Sequence, residues 1–415
     1  MSVKNSNQLK NPIIIRIANQ YQVVLLLKKK PRSCRDLARK MSLSNVALKN
    51  ITDELQKEDI VVSYVKNNTK KGRFPSIFSL NENLGVFCSI DLSRRDLIVA
   101  ISDVNDNIIV RDVVPDILYI DKKAIEEVVS LIKQLLKTSE VGNRPLLGIC
   151  VSTPGEFDQR TKDFTYAPRI VDCTNVNFVH YFGNIFNVPV SVCNDINLGL
   201  LGEYNFGSSI PKEAKSVYYA FLDFVSGSAL MFNGDIFVGS RGHAGEAASY
   251  KNLPGEYSGR FFTINDIYEE IHFLAKDHPE DPFYSQERFS FNDIVRRYNE
   301  GDKVVNEVVE KSARINAIQL LAVSNLLDLD YICLEGKMIE FGNSYKDLLC
   351  RYYREYDANK NLTQITFSTC GKDANLYGAI YKSNEVYFLN RFIELANKRT
   401  NSINNDVEEF FKSKI

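Results

Sequence analysis

Two stretches of this chain carry the same order of elements twice. From Val86 come three strand-like apolar runs, VFCSID, LIVAIS and NIIVRDV, then a helical AIEEVVSLIKQLL and a further strand, LLGICVS. From near Lys215 the order returns with SVYYAFLD, SALMFN and DIFVG, followed by helices, the strand YICLEG, the helix KDLLCRYYREY, the strand QITFST and the helix DANLYGAI. Strands that alternate with helices build layered α/β sheets, and the repetition implies two lobes with a cleft between them for a ligand. A length of 415 residues suits two or three domains. No apolar run approaches the roughly 18 residues that span a bilayer. The polar start MSVKNSNQLKNPIIIRIANQ lacks a signal-peptide core and cleavage site. The expectation is a cytoplasmic chain with no membrane partner. Its eight cysteines are scattered, with no CxxC pair and no Cys/His cluster, which speaks for reduced thiols and against a metal site.

The first 75 residues follow a different pattern. They hold 16 Lys+Arg against 5 Asp+Glu, while the rest of the chain holds 35 against 47. A basic head on an acidic body suggests nucleic-acid binding, although a basic segment can also be merely solvated. The order of elements inside the head decides between these. Residues 11–29 cluster Ile13, Ile14, Ile17, Val23, Val24 and Leu27 in a first helix. Ser33 is placed to cap a second helix, SCRDLARKM, with Leu37, Ala38 and Met41 inward. After the turn SLS, Ser44 is placed to cap a third, SNVALKNITDELQKE, with Leu48, Ile51 and Leu55 as its buried stripe. The opposite face presents Asn45, Lys49 and Asn50 near the helix N-terminus, where a recognition helix meets base edges, and Ser44 beside them is counted among the DNA contacts. Ile60 to Val65 alternates as a strand, and NNTKK forms a wing. Lys70, Lys71 and Arg73 in the stretch KKGRFP suit either a narrow minor groove or a plain linker. The head thus reads as an N-terminal winged helix-turn-helix domain.

The stretches SIDLSRRDLIVAISD, GICVSTPGEFD, VPVSVCNDINLGLLGEYNFG, FNGDIFVGSRGHAGEA, ICLEGKMIEFG and GKDANLYGAI occur in one order and spacing. Over residues 85–382 they resemble the ROK family (repressors, open reading frames and kinases), and the head resembles the family's regulator branch. The resemblance implies an α/β actin-like body of the sugar-kinase, ribonuclease H-like type. The expected division is a head over residues 1–80, a first lobe over 81–200, a second over 201–385 and a helical extension over 386–415.

Family kinases cradle ATP phosphates on two glycine-rich hairpins, because backbone N–H groups approach phosphate only where side chains are absent. The first, of the form DxGGT, is here Asp91-Leu92-Ser93-Arg94-Arg95; the second, GTGxGxG, is Asp223 to Ala229 and keeps only Gly227. A ring and a carboxylate in that loop oppose phosphate, while Arg94 and Arg95 leave open a substitute contact. At the place of the family's zinc-motif GH dipeptide stands Ala248-Ser249, so no metal and no other cofactor is expected. The sugar side is better kept. Pro154-Gly155, Asn194-Asp195 and Glu246 match the family's sugar-binding residues, with turn and cap roles as the alternative. Arg169 replaces a usual Asn and would favour an anionic sugar. His243 is either a packing residue or a contact. The reading is a non-catalytic, sugar-sensing regulator, most simply a repressor. Its partners would be a double-stranded DNA operator, a sugar or sugar phosphate effector, and a second copy of the chain in a dimer or higher oligomer. The alternatives are an active sugar kinase with an appended head and a regulator answering to a protein partner.

Overall fold

The computed structural model describes residues 12–65, 76–157, 164–167, 169–171, 177–246, 260–277, 281, 283, 289–360 and 362–400. They fall into two compact units, both discontinuous in sequence. One comprises Met1–Thr153, Arg169–Cys193 and Ala379–Ile415, the other Pro154–Pro168 and Asn194–Gly378.

The first unit begins with three helices. Helix α1, Pro12–Lys29, starts on a proline, whose missing N–H costs nothing at the first helical position. It buries Ile14, Ile17, Ala18, Tyr21 and Val24 at helical spacing. Helix α2, Cys34–Met41, is capped by Ser33, whose Oγ accepts the Asp36 N–H at 3.2 Å. The chain then turns through Ser42 in the left-handed region (φ 54°) and enters α3, Asn45–Lys57. Strands β1 (Arg32–Ser33), β2 (Val61–Val65) and β3 (Ser76–Leu80) form an antiparallel sheet in the order β1-β3-β2. The expected alternation in β2 is not found, because only Val61 is buried and the four residues after it are exposed. Among the described residues β2 is an edge strand, paired on one side only, and its outer part is exposed.

The body of this unit is a five-stranded sheet. Strands β4 (Val86–Asp91), β5 (Leu97–Ser102) and β6 (Ile108–Val114) run as an antiparallel meander. Helix α4 (Lys122–Leu135) follows, then β7 (Leu146–Thr153), parallel to β4. In chain order come the short pair β8 (Glu156–Phe157) and β9 (Phe164–Tyr166), which belongs to the second unit, then helix α5 (Phe178–Phe186) and β10 (Val190–Asn194). The sheet order is β10-β7-β4-β5-β6. β4 and β5 are buried at every position, which is why they read as unbroken apolar runs rather than alternating ones.

The second unit repeats this plan. After helix α6 (Asp195–Phe206), strands β11 (Ser216–Leu222), β12 (Ser226–Phe232) and β13 (Asp235–Ile236) form a meander. β13 holds two residues where the sequence suggests five. Helices α7 (Ile264–Leu274), α8 (Phe291–Asn299) and α9 (Lys303–Leu327) follow. Strand β14 (Tyr331–Glu335) joins parallel to β11, helix α10 (Gly342–Tyr356) crosses over, and β15 (Gln364–Phe367) completes the order β13-β12-β11-β14-β15. The duplication legible in the sequence is thus a duplicated strand order. Helix α11, Ala374–Thr400, runs unbroken through the expected boundary at residue 386. Among the described residues no helix is long and apolar enough to cross a membrane.

Candidate functional site

Two sets of residues singled out by sequence are placed by different means. On α3, Leu48, Ile51 and Leu55 are buried, with Thr52 beside them, and fix which way the helix faces. Asn45, Val46, Lys49 and Asn50 are left exposed around its first turns. Ser44, counted among the contacts, has its Oγ engaged as the cap, accepting the Ala47 N–H at 3.1 Å. Lys70, Lys71 and Arg73 lie outside the described residues.

In the second unit the matched sugar residues gather around the start of α6. The Asn194 side chain caps that helix, its Oδ1 accepting the Asn197 N–H at 3.1 Å, and its Nδ2 donates to the Gly155 carbonyl at 3.0 Å. Gly155 stands at φ 95°, a conformation a side chain would strain. Asp195 follows as the first residue of α6, where the helix dipole favours a carboxylate. Glu156 places an oxygen 3.4 Å from His243 Nδ1. Burial, and then the nearby Glu156 charge, push Glu246 up to about 7. His243 therefore has a partner in Glu156, and Glu246 exchanges protons near neutral pH. A half-buried cluster of amide, carboxylates and imidazole can bind sugar hydroxyls, since carboxylates accept and the amide donates.

Arg169 is placed otherwise than expected. It belongs to the first unit, and its five N–H donors all meet backbone carbonyls. Nε donates to Leu118, one terminal nitrogen to Leu92 and Ser93, and the other to Arg94 and Ile117, at 2.7–3.3 Å. A guanidinium has five N–H groups, so this one has none left to aim at an anionic sugar. It is a clamp on the β4–β5 turn. The Leu92 and Ser93 N–H groups in that turn are also engaged, by the Ser152 carbonyl and the Asp91 carboxylate at 2.9 Å each. In the β11–β12 turn the Asp223 carboxylate accepts the Phe224 and Lys337 N–H groups at 2.8 and 3.1 Å. Among the described residues no three His, Cys, Asp or Glu side chains gather as a metal site requires. Most of the segment where the family's zinc motif would fall lies outside the described residues.

The ROK family model matches residues 87–251 and 263–385. The chain belongs to the ROK family. It is similar to a xylose repressor of Caldicellulosiruptor bescii, 23% identical over 82% of this chain and 88% of the other. It is also similar to the DNA-binding transcriptional dual regulator NagC of Escherichia coli, 22% identical over 80% and 81%. Among solved structures, a ROK family transcriptional regulator described as a homolog of the E. coli MLC protein superposes with a TM-score of 0.75 at 19% identity. It covers 93% of this chain and 100% of its own. A ROK family glucokinase from Streptomyces griseus superposes with a TM-score of 0.60 at 17% identity, over 72% and 100%. The body accordingly has the actin-like sugar-kinase fold of the ROK family.

Two residues beside these candidates escaped the sequence reading. Glu156 directly follows Pro154-Gly155, but only the fold brings it to His243 and Glu246. Val46 is 72% exposed on the α3 face. A valine in an apolar-rich segment passes for core unless its helical phase is followed, and one turn of phase would have exposed it.

Proposed function

We propose that this ROK protein is a sugar-responsive, DNA-binding transcription repressor whose body senses a carbohydrate without phosphorylating it. The head is a winged helix-turn-helix: a three-residue turn joins α2 to α3, and the antiparallel pair β2 and β3 follows. The observation that carries the reading is the exposed polar start of α3. Asn45, Lys49 and Asn50 stand on a helix whose other face is fixed by full burial of Leu48. Short polar and cationic side chains at the N-terminal turns of such a helix reach base edges in a major groove. Val46 adds an apolar surface suited to a thymine methyl group. The comparisons support the reading in two ways. Relatives named a repressor and a DNA-binding transcriptional regulator align over 82% and 80% of this chain. The regulator structure covers 93% of the chain, which leaves too little uncovered to omit the head, whereas the glucokinase covers 72%.

The effector site takes Asn194, Asp195, Gly155 and Glu246, with Glu156 added. Since Arg169 is engaged elsewhere, nothing on that residue favours an anionic sugar. Loss of kinase chemistry is supported by the two turns, in which the Leu92, Ser93 and Phe224 N–H groups are bonded within the protein. The chain works in the cytoplasm as a dimer or higher oligomer, in keeping with a pseudo-palindromic operator. The expected domain division becomes a proposal of three functional parts, head, first lobe and second lobe, with residues 386–400 assigned to the head. The reading is tested by enriching a random duplex library on the full chain, then titrating the selected duplex in the presence of D-xylose, N-acetyl-D-glucosamine and their phosphates. Sugar-dependent release of the duplex is expected, and Asp195→Ala or Glu246→Ala should abolish the response while duplex binding persists. Failure to enrich any duplex sinks the DNA-binding reading. Robust ATP turnover on any of these sugars sinks the non-catalytic one.

A further inference from the structure

The head's core is shared with the last helix. Ile14, Ile17, Tyr21, Leu48, Ile51 and Leu55 belong to one buried cluster with Phe388, Leu389, Phe392 and Ala396 of α11. The Tyr21 and Phe392 rings pack with centroids 5.6 Å apart. Polar contacts reinforce the joint. Lys28 of α1 pairs with Asp106 at 3.0 Å, both side chains only 8% exposed, and Asn384 of α11 donates to the same carboxylate at 3.0 Å and to the Val104 carbonyl at 2.8 Å.

The same helix holds the far half of α3. Arg391 donates to the Glu58 carbonyl at 3.2 Å, with the Glu58 carboxylate at 3.7 Å, and Arg399 lies 3.8 Å from Glu54. Glu54 also accepts from Arg16 and Gln20 of α1. A cleft of about 400 Å³ opens here, lined among others by Glu54, Glu58, Arg391, Lys398 and Arg399, so these side chains have room to exchange partners. At its other end α11 meets the helix that carries the effector motif. A Cβ added at Gly202 of α6 would stand 2.0 Å from the Ala374 carbonyl oxygen, and one added at Gly378 of α11 would stand 1.9 Å from the Leu198 carbonyl oxygen. The two backbones are in direct contact there, and packing that close transmits displacement instead of absorbing it.

We infer that α11 couples the effector site to the reading helix, and that Arg391 and Arg399 are positioning residues for DNA recognition. They act by setting the pose of α3 through Glu58 and Glu54. Exposed ion pairs of this kind contribute little to stability, and a ligand shifts an equilibrium only through contacts that differ between two states. Pairs bordering a cleft on the reading helix are contacts of that sort. This inference rests on the repressor reading.

The experiment uses the full chain with a duplex enriched from a random library. In R391A/R399A the duplex affinity should change about tenfold while the melting temperature stays within about 2 °C of the parent. R391K/R399K, which keeps both charges, should retain the parental affinity. Coupling is read with D-xylose and N-acetyl-D-glucosamine: the parental ratio of duplex affinities without and with the active sugar, typically about 5- to 150-fold for such systems, should collapse toward one in the alanine variant and recover in the lysine variant. A merely structural role would lower the melting temperature and leave that ratio in place. Parental affinity and parental ratio in R391A/R399A overturn the inference. If no duplex is enriched, it is the repressor reading that fails.

Discussion

The start of α3 and the start of α6 are both helix N-termini capped by a side chain, Ser44 in one and Asn194 in the other, and they use their polar residues in opposite ways. At α3 the Ser44 cap is bonded inside the protein, and Asn45, Lys49 and Asn50 stand exposed. At α6 nearly every matched polar group already has work within the fold. Asn194 holds both the helix and Gly155, His243 meets Glu156, and Arg169, grouped with them by sequence, is tied to five carbonyls of the other unit. A surface that reads DNA must keep its donors available to bases. A pocket that closes on a small molecule must first hold its own groups still, because a side chain ordered beforehand loses less entropy on binding.

The contrast is most exposed at Arg169. Arg169→Ala leaves five carbonyls without their donors, and the expected loss is about 3 kcal/mol of stability in urea denaturation. A loss under about 1 kcal/mol would mean that water replaces the clamp and that the side chain is available for a ligand after all. Next comes α3. Lys49→Ala and Asn50→Ala should each weaken binding to the selected duplex by about 1–3 kcal/mol at fixed salt, with melting temperatures unchanged, as exposed residues allow. If both variants bind as the parent does, this face is not the reader. Asn194→Ala is expected to cost about 1 kcal/mol of stability through the lost cap, with duplex affinity intact. An unchanged stability would place Asn194 with the α3 residues, on the unengaged side of the comparison.

The last test concerns Glu246. Its folded-state value is raised from the ordinary 4.5 to about 7, by burial and then by Glu156. Below pH 4.5 the carboxyl is protonated in folded and unfolded chains alike and carries no penalty. As the pH rises through 7 the folded protein must hold a charge that burial and Glu156 disfavour, and stability is lost. Glu246→Gln removes that charge, so its melting temperature should exceed the parent's at pH 8 and match it at pH 4.5. An equal difference at both pH values would show that packing, not charge, distinguishes the two side chains.

Much of this was legible in the residues themselves. The head's helices, with Ser33 and Ser44 as caps and Leu48, Ile51 and Leu55 as the buried stripe, follow from patterns with a range of three or four residues, which is the range over which helix chemistry acts. The strands of the body and their repetition were legible too, because strands buried on both faces are apolar throughout. What the residues could not reveal are relations between distant segments. The two-residue strand β1 exists only because β3 pairs with it. Glu156 becomes a neighbour of Glu246 some ninety positions away, and burial there gives Glu246 its near-neutral titration. Arg169 looked like a ligand contact because its charge is visible in the sequence, while its five carbonyl partners come from turns that only the folded sheet brings to it. The chain's final described helix gave no functional signal, yet Phe388, Leu389, Phe392 and Ala396 complete the core of the first three helices. Local hydrogen bonding and periodicity are written along the chain. The partner of a buried ring or a buried charge is fixed by close packing, which the tertiary structure alone decides.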